Sequence, residues 1–445
     1  MALTDPIRVL IESPLAPELF WAWGLFARGG NVGWEPASPA DQPGDAGVLW
    51  ISEDPRADVV LSDVFRQQAE RGEWASERVM ADEPILRAAD GQVDPLSTAF
   101  YLVNSLQEHG SSARDAYDRF PYAASLQARF DCVEENLVGH AFDRLYERLR
   151  ERFAWPARVA PPSLILLSHD IDLVYRGWRE DGKHALVRGQ LAAVAGLLWR
   201  QASGQPDWLN IEKIMDLDQR WGMPATFFWI PRKAKWGESP PDADYRLDEP
   251  RIHRAMKAVA ATPGFSLGLH ASAGGSLAAE RAGFPYPVAI NRQHFLKFRL
   301  PDHYEQVEQA GLAADASLGF SERPGFRNSY GMPFQPWSLQ RREPYRFVEF
   351  PLHLMDATFN HYWLGGRDAE SRAAFAVERG GAFLEKNRRG AVLSMLWHNN
   401  YLTGGAYAAF GPVYRAWMQR CRELGLLGLD LKSALGRWGG LGGKE

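Results

Sequence analysis

Leu164-Ile165-Leu166-Leu167 runs without a break into Ser168-His169-Asp170-Ile171-Asp172. Four consecutive aliphatics read as a core strand buried on both faces, the pattern of a parallel sheet covered by helices. A strand of that kind has no structural use for three ionisable groups at its end, because buried charge is costly without a partner or a metal. In parallel α/β folds the carboxyl ends of the strands are where ligands and catalytic groups gather. Asp170 and Asp172 therefore mark the edge of a site, and the rest of the chain is read for their partners.

From this strand onward the sequence alternates strand and helix, which predicts a parallel sheet or barrel. The expected strands are Leu164–Ser168, Ala225–Ile230, Phe265–His270, Ala289–Phe295, Ala313–Ser317, Phe347–Leu352 and Ala391–His398. The expected helices are Leu186–Gln201, Ile211–Trp221, Arg251–Ala261, Asp302–Ala310, Ala369–Asn387 and Val413–Leu424. Before it, Trp155-Pro156-Ala157-Arg158-Val159-Ala160-Pro161-Pro162 is a stiff connector. It separates a smaller α/β unit, residues 1–155, from a larger one, residues 164–437. In the first unit strands are expected at Arg8–Ile11, Val48–Ile51 and Val59–Leu61, with helices over Pro95–His109 and Glu135–Arg150. Asp118-Arg119-Phe120-Pro121 is a polar-aromatic turn whose expected use is domain packing. The Gly-rich tail after Trp438 is expected to fray.

Composition excludes several classes. Of 445 residues 46% are apolar and 24% charged, as in an ordinary globular chain. Fifty basic residues against 55 acidic ones give a net charge of −5, which argues against a nucleic-acid or anionic-membrane partner. Two cysteines, Cys132 and Cys421, imply no disulfide framework. The stretch from Ile7 to Phe26 is interrupted by Arg8, Glu12, Pro14, Pro17 and Glu18 and does not read as a signal peptide. The longest apolar run, Leu191 to Trp199, is too short to span a bilayer. The expected location is the cytoplasm, with no integral membrane segment and no nucleic-acid partner.

Polar groups recur at the ends of the expected strands. Asp170 and Asp172 end the first, His270 the third and His398 the last; the fourth carries Arg292 and His294, and the sixth runs into Asp356. Arg327 lies in a loop after the fifth. An Asp and two His form a common zinc set that leaves positions open for water and substrate. A second carboxylate two residues away is placed to take a proton from that water, and a distant His to protonate a leaving group. An Arg holds the base ionised through a bidentate pair. The plain structural uses are a helix N-cap for Asp172, a carboxylate paired with Arg327 for Asp170, a satisfied core imidazole for His270, a supporting group or an outward-facing strand residue for His294 and a loop cap with Asn399 for His398; His169 is read as a supporting or packing group.

These segments resemble the NodB-homology polysaccharide deacetylases (carbohydrate esterase family 4). The likeness rests on Ser168-His169-Asp170-Ile171-Asp172, Gly222-Met223-Pro224-Ala225-Thr226-Phe227-Phe228, Leu267-Gly268-Leu269-His270, Gly325-Phe326-Arg327 and Met395-Leu396-Trp397-His398, and covers about residues 163–400. The first unit is similar to the accessory domain of a divergent branch found in surface-glycan gene clusters. The resemblance implies a distorted (β/α) barrel of about seven strands. It also implies a metal-dependent hydrolase that removes an N-acetyl group from an amino sugar or glycan. By the same likeness Asp170 is the base, Asp172 and His270 metal ligands, Arg327 the partner of the base and His398 the acid, with zinc as the cofactor. Asp356 is assigned to orient His398, and Tyr330, Trp337, Trp363 and Trp397 to line a sugar subsite. The chain departs from the family at one point: the common His-x-x-x-His pair is broken, since Gly274 stands four residues after His270. His294, on the neighbouring strand, is the expected replacement ligand. The alternative is a decayed member that binds or scaffolds glycan without catalysis.

Overall fold

A computed structural model describes residues 6–235 and 241–442. The first unit is a parallel sheet of β1 (Ile7–Glu12), β2 (Trp34–Pro36), β3 (Val48–Ser52) and β4 (Val59–Val60), in the order β2-β1-β3-β4. Helices Ala16–Gly30, Pro95–Val103 and Leu137–Arg150 pack with it. The last begins at Asn136, whose side chain accepts from the Gly139 N–H, and buries the stripe Val138, Ala141, Phe142, Leu145 and Leu149. The expected helix over Pro95–His109 ends at Val103, because Ser105 takes a left-handed conformation (φ 51°) and starts a separate short turn, Leu106–Glu108.

The second unit is a curled, all-parallel sheet with helices outside it. Its strands are β5 (Leu164–Ile171), β6 (Ala225–Trp229), β7 (Phe265–Ala271), β8 (Ile290–Gln293) and β9 (Ala314–Asp315), then, after a small hairpin of β10 (Trp337–Ser338) and β11 (Glu343–Pro344), β12 (Val348–Glu349), β13 (Leu352–Met355), β14 (Val392–His398) and β15 (Leu427–Leu429). The order is β12-β9-β8-β7-β6-β5-β14-β13. The two edge strands, β12 and β13, are consecutive in sequence and separated only by Phe350 and Pro351. The sheet thus curls until its ends nearly meet, a (β/α) barrel left open at one seam. The expected single strand Phe347–Leu352 becomes two because Pro351 has no N–H for a ladder. β15, too short to signal itself in the sequence, pairs with the lower half of β5 (Leu164–Leu166), while β6 pairs with the upper half (Ser168–Ile171).

Side-chain alternation sorts β5 into two functions. Ile165, Leu167 and Ile171 join the main apolar core under the helices. Leu166 points into the barrel, where it packs with Phe228, Ile290, Ala314, Val348, Val392 and the C-terminal helix residues Leu431 and Ala434. That cluster plugs the lower end. Above it, Ser168 and Asp170 continue the same face, so the barrel turns polar at the carboxyl ends of its strands. The expected helix Leu186–Gln201 is instead a hairpin of Gly177–Val187 and Leu191–Ala202, broken where Gly189 adopts φ 67°. Of the tail, Gly439–Gly442 forms a short turn, and residues 443–445 lie outside the described residues.

Candidate functional site

At the carboxyl ends of β5, β7, β8 and β14, four ionisable side chains surround Asp172. His270 Nε2 lies 3.3 Å from Asp172 Oδ1 and 3.3 Å from Asp170 Oδ2. His294 Nε2 and His398 Nε2 each lie 3.6 Å from Asp172 Oδ2. Each imidazole is held from behind through Nδ1. His270 Nδ1 donates to the Arg292 carbonyl at 2.9 Å, His294 Nδ1 contacts Asp242 Oδ1 at 3.1 Å and His398 Nδ1 contacts Asp356 Oδ1 at 2.7 Å. A proton kept on Nδ1 by an acceptor leaves the Nε2 lone pair facing the site, the arrangement that orients metal-bound histidines.

Ligand atoms of Asp172, His270 and His294 fall within 4.8 Å of one another. Asp172 Oδ1 is buried and has no hydrogen-bond partner, which leaves a carboxylate oxygen to be satisfied by something else. An unpartnered carboxylate oxygen beside two Nε2 lone pairs fits a divalent cation with open positions, and zinc suits one carboxylate and two imidazoles. Burial pushes the Asp172 carboxyl up, but His294, His270 and His398 outweigh it and hold the group well below the usual range. Burial pulls the His294 imidazole down, but Asp172 and Asp242 raise it to about 9. His398 is likewise pulled down by burial and raised, by Asp356 first, to about 10.

Asp170 is 2% exposed. Its Oδ1 accepts from Arg292 Nη1 at 2.8 Å, while Oδ2 faces His270 and the cavity. Arg292 is fully buried; it also donates to Ser168 Oγ at 2.8 Å and to the Ala316 carbonyl, and lies over the Phe228 ring. Asp356 accepts from the backbone N–H groups of Ala357 and His398 as well as facing His398 Nδ1, so the imidazole has little freedom to turn. Asp170, Asp172, His270, His294 and His398 all line one cavity of about 220 Å³. Its aromatic walls are Phe295, Tyr362, Tyr401 and Tyr407.

Other expected residues sit elsewhere. Arg327 does not reach Asp170: it forms a bidentate pair with Glu108 of the first unit, Nε to Oε1 at 2.8 Å and Nη2 to Oε2 at 2.6 Å, both side chains 2% exposed. Its loop runs along the contact between the two units, and the place beside Asp170 is already filled by Arg292. The four expected subsite aromatics are absent from the cavity wall. Tyr330 packs on Phe142, and Trp337 on Trp21 and Phe100, both against the first unit. Trp363 lies among Phe359, Phe375 and Arg323. Trp397 is fully buried against Tyr414 and Trp417, because alternation along β14 sends it outward while Leu396 and His398 face inward. His169 also faces outward, bonded to Asp218 at 3.0 Å.

The sequence points to no role for Asp242, Tyr362, Tyr401 or Tyr407, and for Arg119 only to domain packing. Arg119, 4% exposed, reaches the cavity from the first unit. Its Nε donates to Asp115 at 2.7 Å and its Nη1 to the Phe295 carbonyl at 3.0 Å. Tyr117 stacks on the Phe295 ring at 5.5 Å. Phe295 and the following Leu296 both hold positive φ, 59° and 52°, a strained pair directly after His294. The first unit thus clamps the turn that presents His294.

The class these features define is a parallel (β/α) barrel with an Asp–His–His cluster and an Arg-held carboxylate at the carboxyl ends of its strands. Residues 50–154 match the model of a family of unknown function (DUF7033). No curated protein matches the chain. Among solved structures, a "putative polysaccharide deacetylase" from Mycobacterium smegmatis is similar at 11% identity and a TM-score of 0.38, over 63% of this chain and 92% of that one.

Proposed function

We propose that the protein is a divalent-metal-dependent hydrolase that removes the N-acetyl group of an amino sugar or glycan, with Asp172, His270 and His294 as ligands. The observation that carries the reading is the convergence of three Nδ1-anchored imidazoles on Asp172 beside a separate, Arg-held carboxylate. A divalent cation bound there, zinc by its donor set, would polarise the amide carbonyl and acidify the attacking water. Asp170, held through Oδ1 by Arg292, would take the proton of that water on Oδ2. His398, held at Nδ1 by Asp356 with Nε2 turned to the cavity, would deliver a proton from Nε2 to the departing amine. Asp356 keeps that imidazole turned toward the cavity. The amide C–N bond breaks, the acyl carbon takes the water oxygen, and acetate leaves with a free amino sugar.

A decayed, glycan-binding relative would have no use for a base and an acid facing each other across one cavity. Metal analysis of the purified protein separates the two. The expected result is one equivalent of zinc, lost in His270→Ala and in Asp172→Ala, with release of acetate from N-acetylated amino-sugar substrates. Asp170→Asn is expected to lower turnover by about 100-fold or more while metal is retained. A metal-free protein, or a fully active Asp170→Asn, would reject the assignment.

A further inference from the structure

Ten large apolar side chains are exposed among the described residues, and five of them lie within one helical hairpin. Leu186 and Val187 are 60% and 88% exposed at the end of its first helix; Leu191, Leu198 and Trp199 are 69%, 52% and 63% exposed on the second. No residue of that second helix, Leu191–Ala202, is buried. Leu191, Ala195, Leu198 and Trp199 follow the spacing of a single helical face. A twelve-residue helix with its apolar face in water is costly unless something covers it.

The charges around this face say what covers it. From Arg176 to Ala202 the hairpin carries five cations, Arg176, Arg179, Lys183, Arg188 and Arg200, against Glu180 and Asp181, in a chain whose net charge is −5. Arg179, Lys183 and Arg188 are exposed and join no carboxylate in an ion pair among the described residues, whereas Arg200 lies on the opposite side of its helix and acts on Asp207. Asp181 is turned inward, where it accepts from Trp208 Nε1 at 2.9 Å and from the Ala406 N–H at 2.9 Å. An apolar ridge with Leu and an indole, rimmed by unpaired cations, matches the interface of an anionic bilayer: acyl chains for the ridge, headgroup phosphates for the rim. A second copy of this chain would set the same cations against each other.

The geometry points to this hairpin as a docking element for an anionic membrane surface. It lies against the cavity wall. It leaves β5 just after Asp172, its first helix packs on the turn Gly405–Tyr407, and Tyr407 lines the cavity. Trp208, tied to Asp181, meets the Tyr407 ring at 5.8 Å. Docking there brings the cavity to the lipid boundary without any segment crossing it; no helix among the described residues is long and apolar enough to span a membrane.

The test is flotation of the full chain with phosphatidylcholine vesicles prepared with and without phosphatidylglycerol. Binding is expected only with phosphatidylglycerol, and should weaken as salt is raised. A variant combining L191S, L198S and W199S is expected to bind about tenfold more weakly or less, with an unchanged circular dichroism spectrum and melting temperature. A variant combining R179Q, K183Q and R188Q is expected to lose the preference for the anionic lipid. Asp172→Ala is expected to float like the parent, so failure of docking and failure of the metal site are read separately. Absence of vesicle binding, or equal binding by the serine variant, overturns the proposal. So does a dimer in sedimentation that the serine changes dissociate, since the face would then belong to a second copy.

Discussion

His353 is a buried imidazole in the barrel wall with one ring nitrogen left unsatisfied. It is 2% exposed; its Nδ1 accepts from the Ser394 N–H at 2.9 Å, and its Nε2 has no hydrogen-bond partner. Burial alone pushes it down from 6.5 to about 3. The unfolded chain therefore takes up a proton that the folded chain refuses between those two values. The stability linked to this group is complete above pH 6.5 and drains away as pH falls toward 3. At pH 5 the loss is about 2 kcal/mol. His353→Asn should remove that part of the acid sensitivity, seen as a smaller difference between denaturation midpoints at pH 7 and pH 5; an unchanged difference would refute it. The legibility of the site at this scale was uneven for a physical reason. Asp170, Asp172, His270, His294 and His398 stood out because each interrupts or ends a run that otherwise reads as core. The partner of Asp170 was misread as Arg327, since a motif carries no information on which guanidinium returns to a given carboxylate. The register His270↔Arg292, which sets Arg292 on the strand beside His270, holds the answer and becomes visible only once the strands are paired.

At the scale of elements, most of the second unit was readable from pattern. The expected helix over Ile211–Trp221 is found with those bounds, and six of the seven expected strands are present as single strands. The failures share a cause: local backbone events that apolar periodicity does not register, namely Pro351 splitting a strand and Gly189 breaking a helix. The turn after His294 belongs to the same group. Two consecutive non-glycine residues in the left-handed region cost about 1–2 kcal/mol each, and they persist because their surroundings hold them. The holding contacts come from Arg119 and Tyr117. Under the proposed function, Arg119→Ala is therefore expected to weaken zinc binding about tenfold and to raise KM along with it, while Arg119→Lys, which cannot make the forked contact to Asp115 and Phe295, restores little. Zinc titration of the purified variants checks this, and an Arg119→Ala protein with parental affinity would show that the turn holds itself.

For the whole molecule, the sequence indicated two α/β units and a proline-rich connector, but nothing in it showed how tightly they join. The contact is deeply buried and combines apolar packing, Trp21 and Phe100 on Trp337 and Phe142 on Tyr330, with polar pairs. Besides Glu108–Arg327, Gln127 donates to the Arg327 carbonyl, Asn136 accepts from the Gly331 N–H, and Asn104 accepts from the Trp337 N–H. Such long-range pairs leave no trace in local composition. Glu108→Ala would strand a buried guanidinium, at a cost of about 3–5 kcal/mol. Denaturant unfolding followed by fluorescence and by circular dichroism is expected to give one coincident transition in the parent and a lower midpoint in the variant. Two separated transitions in the parent would show that the units fold independently.

A cavity whose wall includes Arg119 from one unit and Tyr407 from the other has a consequence for how such a chain can change. Exchanging the first 155 residues with those of a relative would carry in a foreign wall and a foreign grip on His294 together. Recombination at the connector, which composition marks as the natural crossover, is thus expected to yield folded chimeras with altered selectivity only when the Asp115–Arg119 hook and its Phe295 eye travel as a matched set.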